Sequence, residues 1–414
     1  MDKKMMKMLA ILVGLILLLV VFILISNALK GGKKYTYDEL SKEAITATKK
    51  YLDNNTSRKP NRDTTKSVVT LDSLVEGKYM KEPSVLLKDD NASCSGEVEV
   101  YYLDDKKYDY IPEITCVIKG ETYNSKNLVN KLLGEGDYNI VFEDSGIYKR
   151  INGKWITNDD DLNSASSDDI VEYYYRGNQE SMLKNYVQID DMIFRVVMID
   201  NDEDLLLIYN ENIQKGAPWD KRYNEEVNKT QGINTYKENG VKSAAIEKVE
   251  SFILGDEKLE NKTKFSTSLK YMVKEMTLCV GKRALTDKGS DGELECKTTL
   301  EGQKAGLLPA YMYMSASIDP TCEETGDKAC GNNNYLATFD NSYWLVTTNS
   351  EKTNECYYVN RSIVSGVCSS NTSYKPIIKI TGRVQYTEGD GSKKTPYVIN
   401  TKYYKTETDA KKKK

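Results

Sequence analysis

Eight cysteines, arranged as four couples of near neighbours, place the strongest constraint on what this chain can fold into. An even number of locally coupled cysteines is typical of a disulfide framework made in an oxidising compartment. Metal binding is the competing interpretation, and it is disfavoured because the chain has no CxxC spacing and no histidine. Free thiols in a reducing cytosol remain an open alternative. The expected bridges are Cys94 with Cys116, Cys279 with Cys296, Cys322 with Cys330, and Cys356 with Cys368.

The second constraint is an uncharged, largely apolar segment at residues 8–29 that has lysines on both sides. A helix of this length spans roughly 33 Å, which is enough to cross a bilayer core of about 30 Å. The segment therefore predicts a transmembrane helix that contacts the lipid bilayer and acts as a signal-anchor. A cleaved signal peptide ending near Ser26-Asn27-Ala28 is the open alternative, although the apolar run is longer than such peptides usually have.

The flanking charges do not orient this segment, because three lysines lie on each side of it. The expected disulfides orient the segment, since they require the cysteine-bearing body to lie in an oxidising compartment. We therefore predict a single-pass protein of the cell membrane, with a cytoplasmic tail at residues 1–7 and an extracellular body.

Composition excludes several classes of function. The net charge is only −4, and acidic and basic residues are interspersed, so no nucleic-acid partner is expected. The absence of histidine excludes Ser-His-Asp and Cys-His catalysis as well as histidine-ligated metals. We assign no catalytic, cofactor-binding or metal-binding residues, and the ligand-binding residues are unknown at this stage.

The first elements after the apolar segment are defined by their capping residues. Thr36 and Glu39 form a capping box, and apolar residues at helical spacing extend the predicted helix to about residue 54. Thr70 is expected to cap a short helix at residues 71–76. Two alternating strands at residues 97–103 and 108–118 then form a hairpin.

Residues 1–125 resemble the type IV pilin-like proteins of Gram-positive bacteria. The resemblance rests on the apolar helix, its amphipathic continuation, the T-L-x-x-L-V-x-x-x-Y pattern from Thr70 to Tyr79, and the cysteine-flanked hairpin. It implies a small pilin-like helix-plus-hairpin domain at residues 30–125. Met5-Met6-Lys7-Met8 stands where pilin precursors carry their processing motif, so we expect a static anchor rather than a filament subunit.

The middle of the chain, residues 126–169, is expected to hold short elements and a linker. The pattern predicts a helix at residues 127–133 and strands at 138–142 and 146–156, the last with a turn at Asn152-Gly153. Residues 158–169 are acidic and rich in serine. They lack the D-x-D-x-D-G spacing of a calcium loop, which favours a linker.

Short strands with hairpin-length breaks dominate the chain from residue 170 onward. Amphipathic helices are predicted at residues 241–254 and 269–278. The predicted strands are residues 173–176, 186–189, 192–199, 205–209, 343–348, 356–360 and 375–380.

The order of these elements over about residues 170–400 resembles the C-type-lectin-like superfamily, in the form shared with formylglycine-generating-enzyme-like domains of bacterial surface proteins. The motifs that carry the resemblance are Tyr175-Arg176-Gly177, Asn185-Tyr186-Val187, Met192-Ile193-Phe194-Arg195-Val196-Val197 followed by Leu205-Leu206-Leu207-Ile208, Leu307-Leu308 with Tyr311, Tyr343-Trp344-Leu345-Val346, Tyr374-Lys375-Pro376-Ile377-Ile378, and Gly389-Asp390-Gly391-Ser392 with Pro396-Tyr397.

The resemblance implies a mixed α+β domain, but its known chemistry does not transfer. The sugar-binding triplets of calcium-dependent lectins are absent, because Trp344 is followed by Leu345-Val346. The formylglycine-generating enzymes use a cysteine pair, whereas each cysteine here has a close partner for a bridge. The acidic segment from Asp200 to Asp204 looks like an ion loop, but a polar hairpin turn explains it.

Taken together, the sequence predicts an α+β protein: a transmembrane helix, a pilin-like domain, a C-type-lectin-like domain and a lysine-rich tail at residues 401–414. The expected function is adhesion at the surface of a Gram-positive-type bacterium, through recognition of a glycan or a protein and without catalysis or cofactors. A pilin-like component of a surface filament and a formylglycine-generating-type enzyme are the alternatives.

The cysteine pattern makes a direct prediction. Non-reducing peptide mapping should recover four linked peptides, each joining the two members of one local couple. Replacing both cysteines of a couple by serine should lower the free energy of unfolding by about 2–4 kcal/mol, because the unfolded chain gains freedom. A peptide that joins cysteines of different couples would contradict the prediction.

Overall fold

The computed structural model of the protein describes residues 34–401, except 63, 65, 105–106, 125–126, 135–138, 163, 167, 255–268 and 270–271. The apolar segment at residues 8–29 and the tail beyond residue 401 lie outside the described residues. None of the helices within the described ranges is both long and apolar enough to cross a membrane.

Strands supply most of the regular structure of the described chain, and only α1 and α6 exceed two turns. The helices are α1 (Tyr37–Asn54), α2 (Leu71–Glu76), α3 (Pro83–Leu87), α4 (Leu128–Leu133), α5 (Glu180–Leu183), α6 (Ala244–Leu254) and α7 (Ala310–Ser315). The strands are β1 (Lys66–Thr70), β2 (Ser93–Asp104), β3 (Lys107–Ile118), β4 (Glu121–Asn124), β5 (Gly146–Ile151), β6 (Lys154–Trp155), β7 (Val171–Arg176), β8 (Tyr186–Ile189), β9 (Met192–Ile199), β10 (Asp204–Tyr209), β11 (Gln214–Ala217), β12 (Lys237–Glu238), β13 (Val241–Lys242), β14 (Val273–Lys274), β15 (Met276–Cys279), β16 (Thr299–Gln303), β17 (Gly306–Leu307), β18 (Tyr343–Thr348), β19 (Glu355–Asn360), β20 (Ser362–Val367), β21 (Thr372–Tyr374), β22 (Pro376–Thr381), β23 (Tyr386–Glu388) and β24 (Tyr397–Ile399).

The chain divides into two compact units. The first comprises Met1–Pro60, Lys66–Val100 and Pro112–Ser125, and the second comprises Asn61–Thr65, Tyr101–Ile111 and Lys126–Lys414.

In the first unit, helix α1 begins at the predicted capping box. The Thr36 hydroxyl accepts from the Glu39 amide at 3.3 Å, and the Thr36 amide donates to the Glu39 carboxylate at 3.1 Å. The apolar face of α1 is fully buried at Leu40 and Ala44, and Tyr37 donates from its hydroxyl to the carbonyl of Ile114 on β3 at 2.6 Å. These contacts attach the helix to a four-stranded sheet of order β1-β2-β3-β4.

The second unit is built on an eleven-stranded sheet whose main path is β14-β22-β10-β9-β7-β5-β6. Its central strands β9 and β10 are buried along nearly their whole length, which explains their continuous apolar sequence. They pair antiparallel with a register shift between Leu206 and Leu207. Strand β22 pairs antiparallel with β10 on the other side.

A five-stranded sheet of order β11-β21-β18-β19-β20 completes the core of this unit. Two passages of the chain between the two sheets lie side by side. One runs from β10 to β11 through residues 210–213, and the other runs from β21 to β22 through the single residue Lys375. Ile213 bonds the carbonyl of Tyr374 through its amide at 3.1 Å, and β11 pairs antiparallel with β21.

All four predicted cysteine couples are bridged in the structure, and none of the eight cysteines is free. Cys94–Cys116 links β2 to β3 in the first unit. The other three bridges lie in the second unit, where Cys356–Cys368 joins β19 to the loop that precedes β21. Each bridge closes a short loop and so reduces the conformational freedom of the unfolded chain.

A buried ion pair organises the loops beside the Cys279–Cys296 bridge. Arg283 and Glu295 are almost fully buried, and their charged groups lie 3.2 Å apart. The guanidinium also donates to the carbonyls of Asp287, Lys288 and Gly289, while Glu295 accepts from the amide of Tyr311 at 3.0 Å. Burial raises the pKa of Glu295 even though Arg283 opposes the shift, so the carboxylate depends on its partners.

The predicted fold class is wrong. The described chain is mostly β-sheet rather than α+β, and it contains no helix capable of crossing a membrane. The region predicted as a helix-plus-hairpin domain holds four paired strands, because β1 and β4 extend the hairpin on both sides. A pattern of two strands could not reveal β4, which is only four residues long.

Two smaller element predictions also fail. The helix expected at residues 269–278 is wrong from Val273 onward: Leu269 and Met272 are helical, but strands β14 and β15 follow, since Val273 pairs with Ile380 and Met276 pairs with Gln303. The strand expected at residues 138–142 is reduced to an isolated bridge between Ile140 and Ile147. Short apolar runs are ambiguous between helix and strand, and tertiary pairing decides the outcome.

The Arg283–Glu295 pair gives a stability prediction. Arg283→Met should lower the free energy of unfolding by about 3–5 kcal/mol, because it leaves Glu295 buried without its cation. Combining it with Glu295→Leu should recover much of that loss. Lys288→Met, which removes a fully exposed ion pair with Glu323, is the matched control and should have no measurable effect. Denaturant unfolding of the three variants checks this. Equal losses in the Arg283 and Lys288 variants would contradict it.

Candidate functional site

Two adjoining cavities in the second unit form the candidate site. Residues 338–341 line both, so this segment is their common wall. The first, which we call the amide cavity, has a volume of about 880 Å³ and reaches the end of β19 and the turn into β20. The second, the lysine cavity, has a volume of about 760 Å³ and lies at the passages between the two sheets.

The common wall is fixed by buried polar residues just before it. Asn334 is fully buried, and its side-chain nitrogen donates to the carbonyls of Tyr313 and Cys330, each at 2.8 Å. The side-chain oxygen of Asn334 caps the short turn at Tyr335–Thr338 by accepting from the amide of Leu336. The wall therefore begins from a position set by the Cys322–Cys330 loop.

Amide groups line much of the first cavity. The asparagines in its lining are Asn178, Asn332, Asn334, Asn341 and Asn360. In the part of the chain that the structure describes, no group bonds the side-chain amides of Asn341 and Asn360, and both residues are exposed. Their donors and acceptors are therefore directed to solvent or to a bound molecule.

Gly331 allows the walls of the amide cavity to approach closely. A Cβ atom at this position would lie 1.8 Å from the carbonyl oxygen of Arg361, a distance that no side chain tolerates. That same oxygen accepts a hydrogen bond from the hydroxyl of Tyr313 at 2.6 Å, which holds the turn between β19 and β20 against the core.

Lys375 lies at the base of the lysine cavity and is only 2% exposed. Its Nζ donates to the carbonyl oxygen of Asn210 at 2.6 Å and lies 4.1 Å from the ring centroid of Phe339. Burial lowers the pKa of Lys375 to about 7, although the negative charges of Asp340 and Glu211 oppose the shift. Near neutral pH the amine is therefore divided between its charged and neutral forms.

Arg195 also lines the lysine cavity, and its guanidinium is held by partners within the protein. Its guanidinium stacks between the rings of Tyr186 and Tyr335, 4.4 Å from each centroid. It also pairs with the carboxylate of Glu180 at 2.9 Å and donates to the side-chain oxygen of Asn185. Burial raises the pKa of Tyr186 to about 12, so this phenol remains neutral at physiological pH.

The acidic segment noticed in the sequence forms the turn between β9 and β10. Asp200, Asp202 and Asp204 bring carboxylate oxygens within 4.8 Å of one another. Lysine ammonium groups already neutralise two of them: Lys274 lies 2.5 Å from Asp204, and Lys379 lies 2.6 Å from Asp200. The backbone amides of Asp202 and Asp204 also donate hydrogen bonds to the carboxylate of Asp200. These hydrogen bonds and the ion pairs explain the acidic cluster as a stabilised hairpin turn.

Other tryptophan and aspartate residues of the chain lie in the core, on strands or in capped turns. Trp219 and Trp344 are fully buried. The indole N–H of Trp219 donates to the carbonyl of Leu345, and that of Trp344 donates to the carbonyl of Ala217. Asp220 pairs with Arg222 and accepts from the amide of Ile233. Asp159–Asp161 form a turn capped by Asn158. Asp109 and Glu113 lie on β3.

Neither Lys375 as a site residue nor the amide cavity is predictable from the sequence. The only signal for Lys375 is its place between Tyr374 and the apolar strand Pro376–Thr381, which is unusual for a charged residue. Asn341 and Asn360 are more than fifteen residues apart and become neighbours only through the pairing of β18 with β19. Comparisons with protein-family models, with curated proteins and with solved structures give no match to this chain.

The lowered pKa of Lys375 predicts a specific pH dependence of stability. Between about pH 7 and the ordinary lysine pKa of about 10.4, the unfolded chain binds the proton that the folded chain releases, so the free energy of unfolding rises with pH. The slope contributed by one group approaches about 1.4 kcal/mol per pH unit. Below about pH 7 both states are protonated and the slope vanishes.

Lys375→Met should remove this slope. Denaturant unfolding between about pH 7 and pH 9 tests it, a window that lies below the titration of tyrosine. Lys154→Met, at an exposed position on β6, is the control and should keep the slope of the unmodified protein. Identical slopes in the two variants would show that Lys375 is an ordinary lysine.

Proposed function

We propose that this protein is an extracellular binding module that recognises a glycan through the amide cavity. The observation that carries the proposal is the set of asparagine side chains that face this cavity, two of which, Asn341 and Asn360, have no partner among the described residues. A carboxamide donates and accepts hydrogen bonds at the same time. It therefore matches the hydroxyl groups of a sugar, which also do both.

The rest of the lining agrees with this chemistry. Phe339 supplies a ring at the common wall, where it packs edge-on against Tyr343 at 5.6 Å between centroids. Ser342 and Ser362 add hydroxyl groups. Binding sites of this kind combine a few convergent polar groups with an apolar surface that fixes orientation.

The extracellular part of the proposal is supported by the four disulfides. Bridges of this number persist in an oxidising compartment and are rare in a reducing one. Two of them, Cys322–Cys330 and Cys356–Cys368, belong to the loops and strands that build the amide cavity. Reduction would therefore affect ligand binding as well as stability.

The glycan proposal is tested on an array that carries both glycans and proteins, probed with the full chain. Binding to glycans is expected, and Asn341→Ala and Asn360→Ala should each weaken it by about tenfold, since one lost hydrogen bond costs about 1–1.5 kcal/mol. The control is Asn371→Ala, an exposed asparagine outside both cavities.

Two results would refute the proposal. One is the absence of any glycan ligand on the array. The other is glycan binding that all three asparagine variants retain equally, which would place recognition elsewhere on the protein. Selective binding to proteins would favour adhesion to a protein partner instead.

A further inference from the structure

We infer that Lys375 is a nucleophilic amine that captures small aldehydes in the lysine cavity as a reversible imine. This activity goes beyond glycan recognition and does not rest on it, because Lys375 lines the lysine cavity and not the amide cavity, although residues 338–341 line both. The inference rests on Lys375 lining a cavity of about 760 Å³, where its Nζ contacts two further lining residues, Asn210 and Phe339.

The surroundings of Lys375 differ from those of Lys274 and Lys379, two other lysines of the same unit. Lys274 and Lys379 pair with carboxylates at 2.5–3.2 Å. For Lys379, Asp204 and Asp200 raise the pKa against the effect of burial. Within the described residues, no carboxylate lies at salt-bridge distance from Lys375, whose hydrogen bond goes to the neutral carbonyl of Asn210. A neutral acceptor and an aromatic ring compensate a charge poorly, and this leaves the unprotonated, nucleophilic form accessible near neutral pH.

The cavity also contains two carboxylates. Glu211 and Asp340 line the same space as Lys375, and both are exposed. The ring of Phe339 covers one side of the amine and limits its hydration. Desolvation of the amine is the feature that lysines forming Schiff bases use to remain partly neutral.

The proposed step is balanced without any redox partner. The lone pair of Nζ adds to the carbonyl carbon of the aldehyde, forming a C–N bond, and the carbonyl oxygen takes up a proton to give a carbinolamine. Loss of water then leaves a C=N bond and a neutral imine after the nitrogen gives up its remaining proton. The sum is one amine and one aldehyde converted to one imine and one water, and hydrolysis reverses it.

A purely structural lysine would behave differently. If Lys375 only fastens the two chain passages through Asn210, its ammonium form is the functional one and its Nζ stays out of reach of solutes. Capture instead requires both a neutral fraction and access from the cavity. Reactivity of the folded protein separates the two roles.

The test is reductive trapping on the full chain under native conditions. Glycolaldehyde is added with cyanoborohydride, which reduces the imine to a stable secondary amine, and peptide mapping by mass spectrometry reports each lysine. Near pH 7, Lys375 should be labelled about tenfold faster than exposed lysines such as Lys154, because the ordinary lysine pKa of about 10.4 leaves very little neutral amine at that pH. Ribose is tested as a second aldehyde, which distinguishes a preference for a five-carbon sugar from a preference for a two-carbon aldehyde. Labelling by either compound supports the inference.

The pH profile of labelling in a charge variant distinguishes a reactive Lys375 from one that only packs in the structure. Asp340→Asn removes a negative charge that raises the pKa of Lys375, so the pH profile of Lys375 labelling should move to lower pH. Asp191→Asn, at an exposed position outside both cavities, is the control and should leave the profile unchanged. The inference is overturned if folded Lys375 reacts no faster than the exposed lysines, reacts only after unfolding, or shows the same profile in both variants. Array binding of glycans is read independently, so either proposal can fail alone.

Discussion

The side-by-side passage of two chain segments between two sheets is the constraint on which the second unit depends. Strands β10 and β22 pair in one sheet, and their continuations β11 and β21 pair in the other. Neither segment can shift without breaking pairing in both sheets. The hydrogen bond from Lys375 to the carbonyl of Asn210 closes this crossing. Because the strands separate here to join different sheets, the backbone leaves a hollow, and the lysine cavity occupies it.

Tyrosine supplies the second general feature of this unit. Its abundance in the sequence fits binding faces, but many of the rings are core residues whose hydroxyls bond to backbone carbonyls. Tyr335 bonds Val196, Tyr343 bonds Leu336 and Tyr357 bonds Arg283 in this way. A buried tyrosine thus fills volume and places its hydroxyl in a hydrogen bond to a backbone carbonyl. This explains how a loop-rich unit keeps its irregular segments packed.

Local signals in the sequence were sufficient for several elements. The capping box at Thr36 predicts the start of α1, the spacing of the cysteines predicts all four bridges, and β8 and β9 have the predicted bounds. The failures concern long-range pairing. Val273 and Met276 form strands because partners more than twenty residues away take them into sheets. The cavities were unpredictable for the same reason, since Lys375 and Asn210 are 165 residues apart.

The contrast between Lys375 and Asp204 shows why burial alone does not make a reactive group. Both are almost fully buried, and burial raises the pKa of Asp204 just as it lowers that of Lys375. Asp204, however, has two lysines within 3.2 Å, which pair with its carboxylate and oppose the effect of burial on its pKa. Lys375 has no equivalent carboxylate among the described residues and instead borders a cavity. A buried charge that is paired contributes to architecture, whereas one that is unpaired and reachable is available for chemistry.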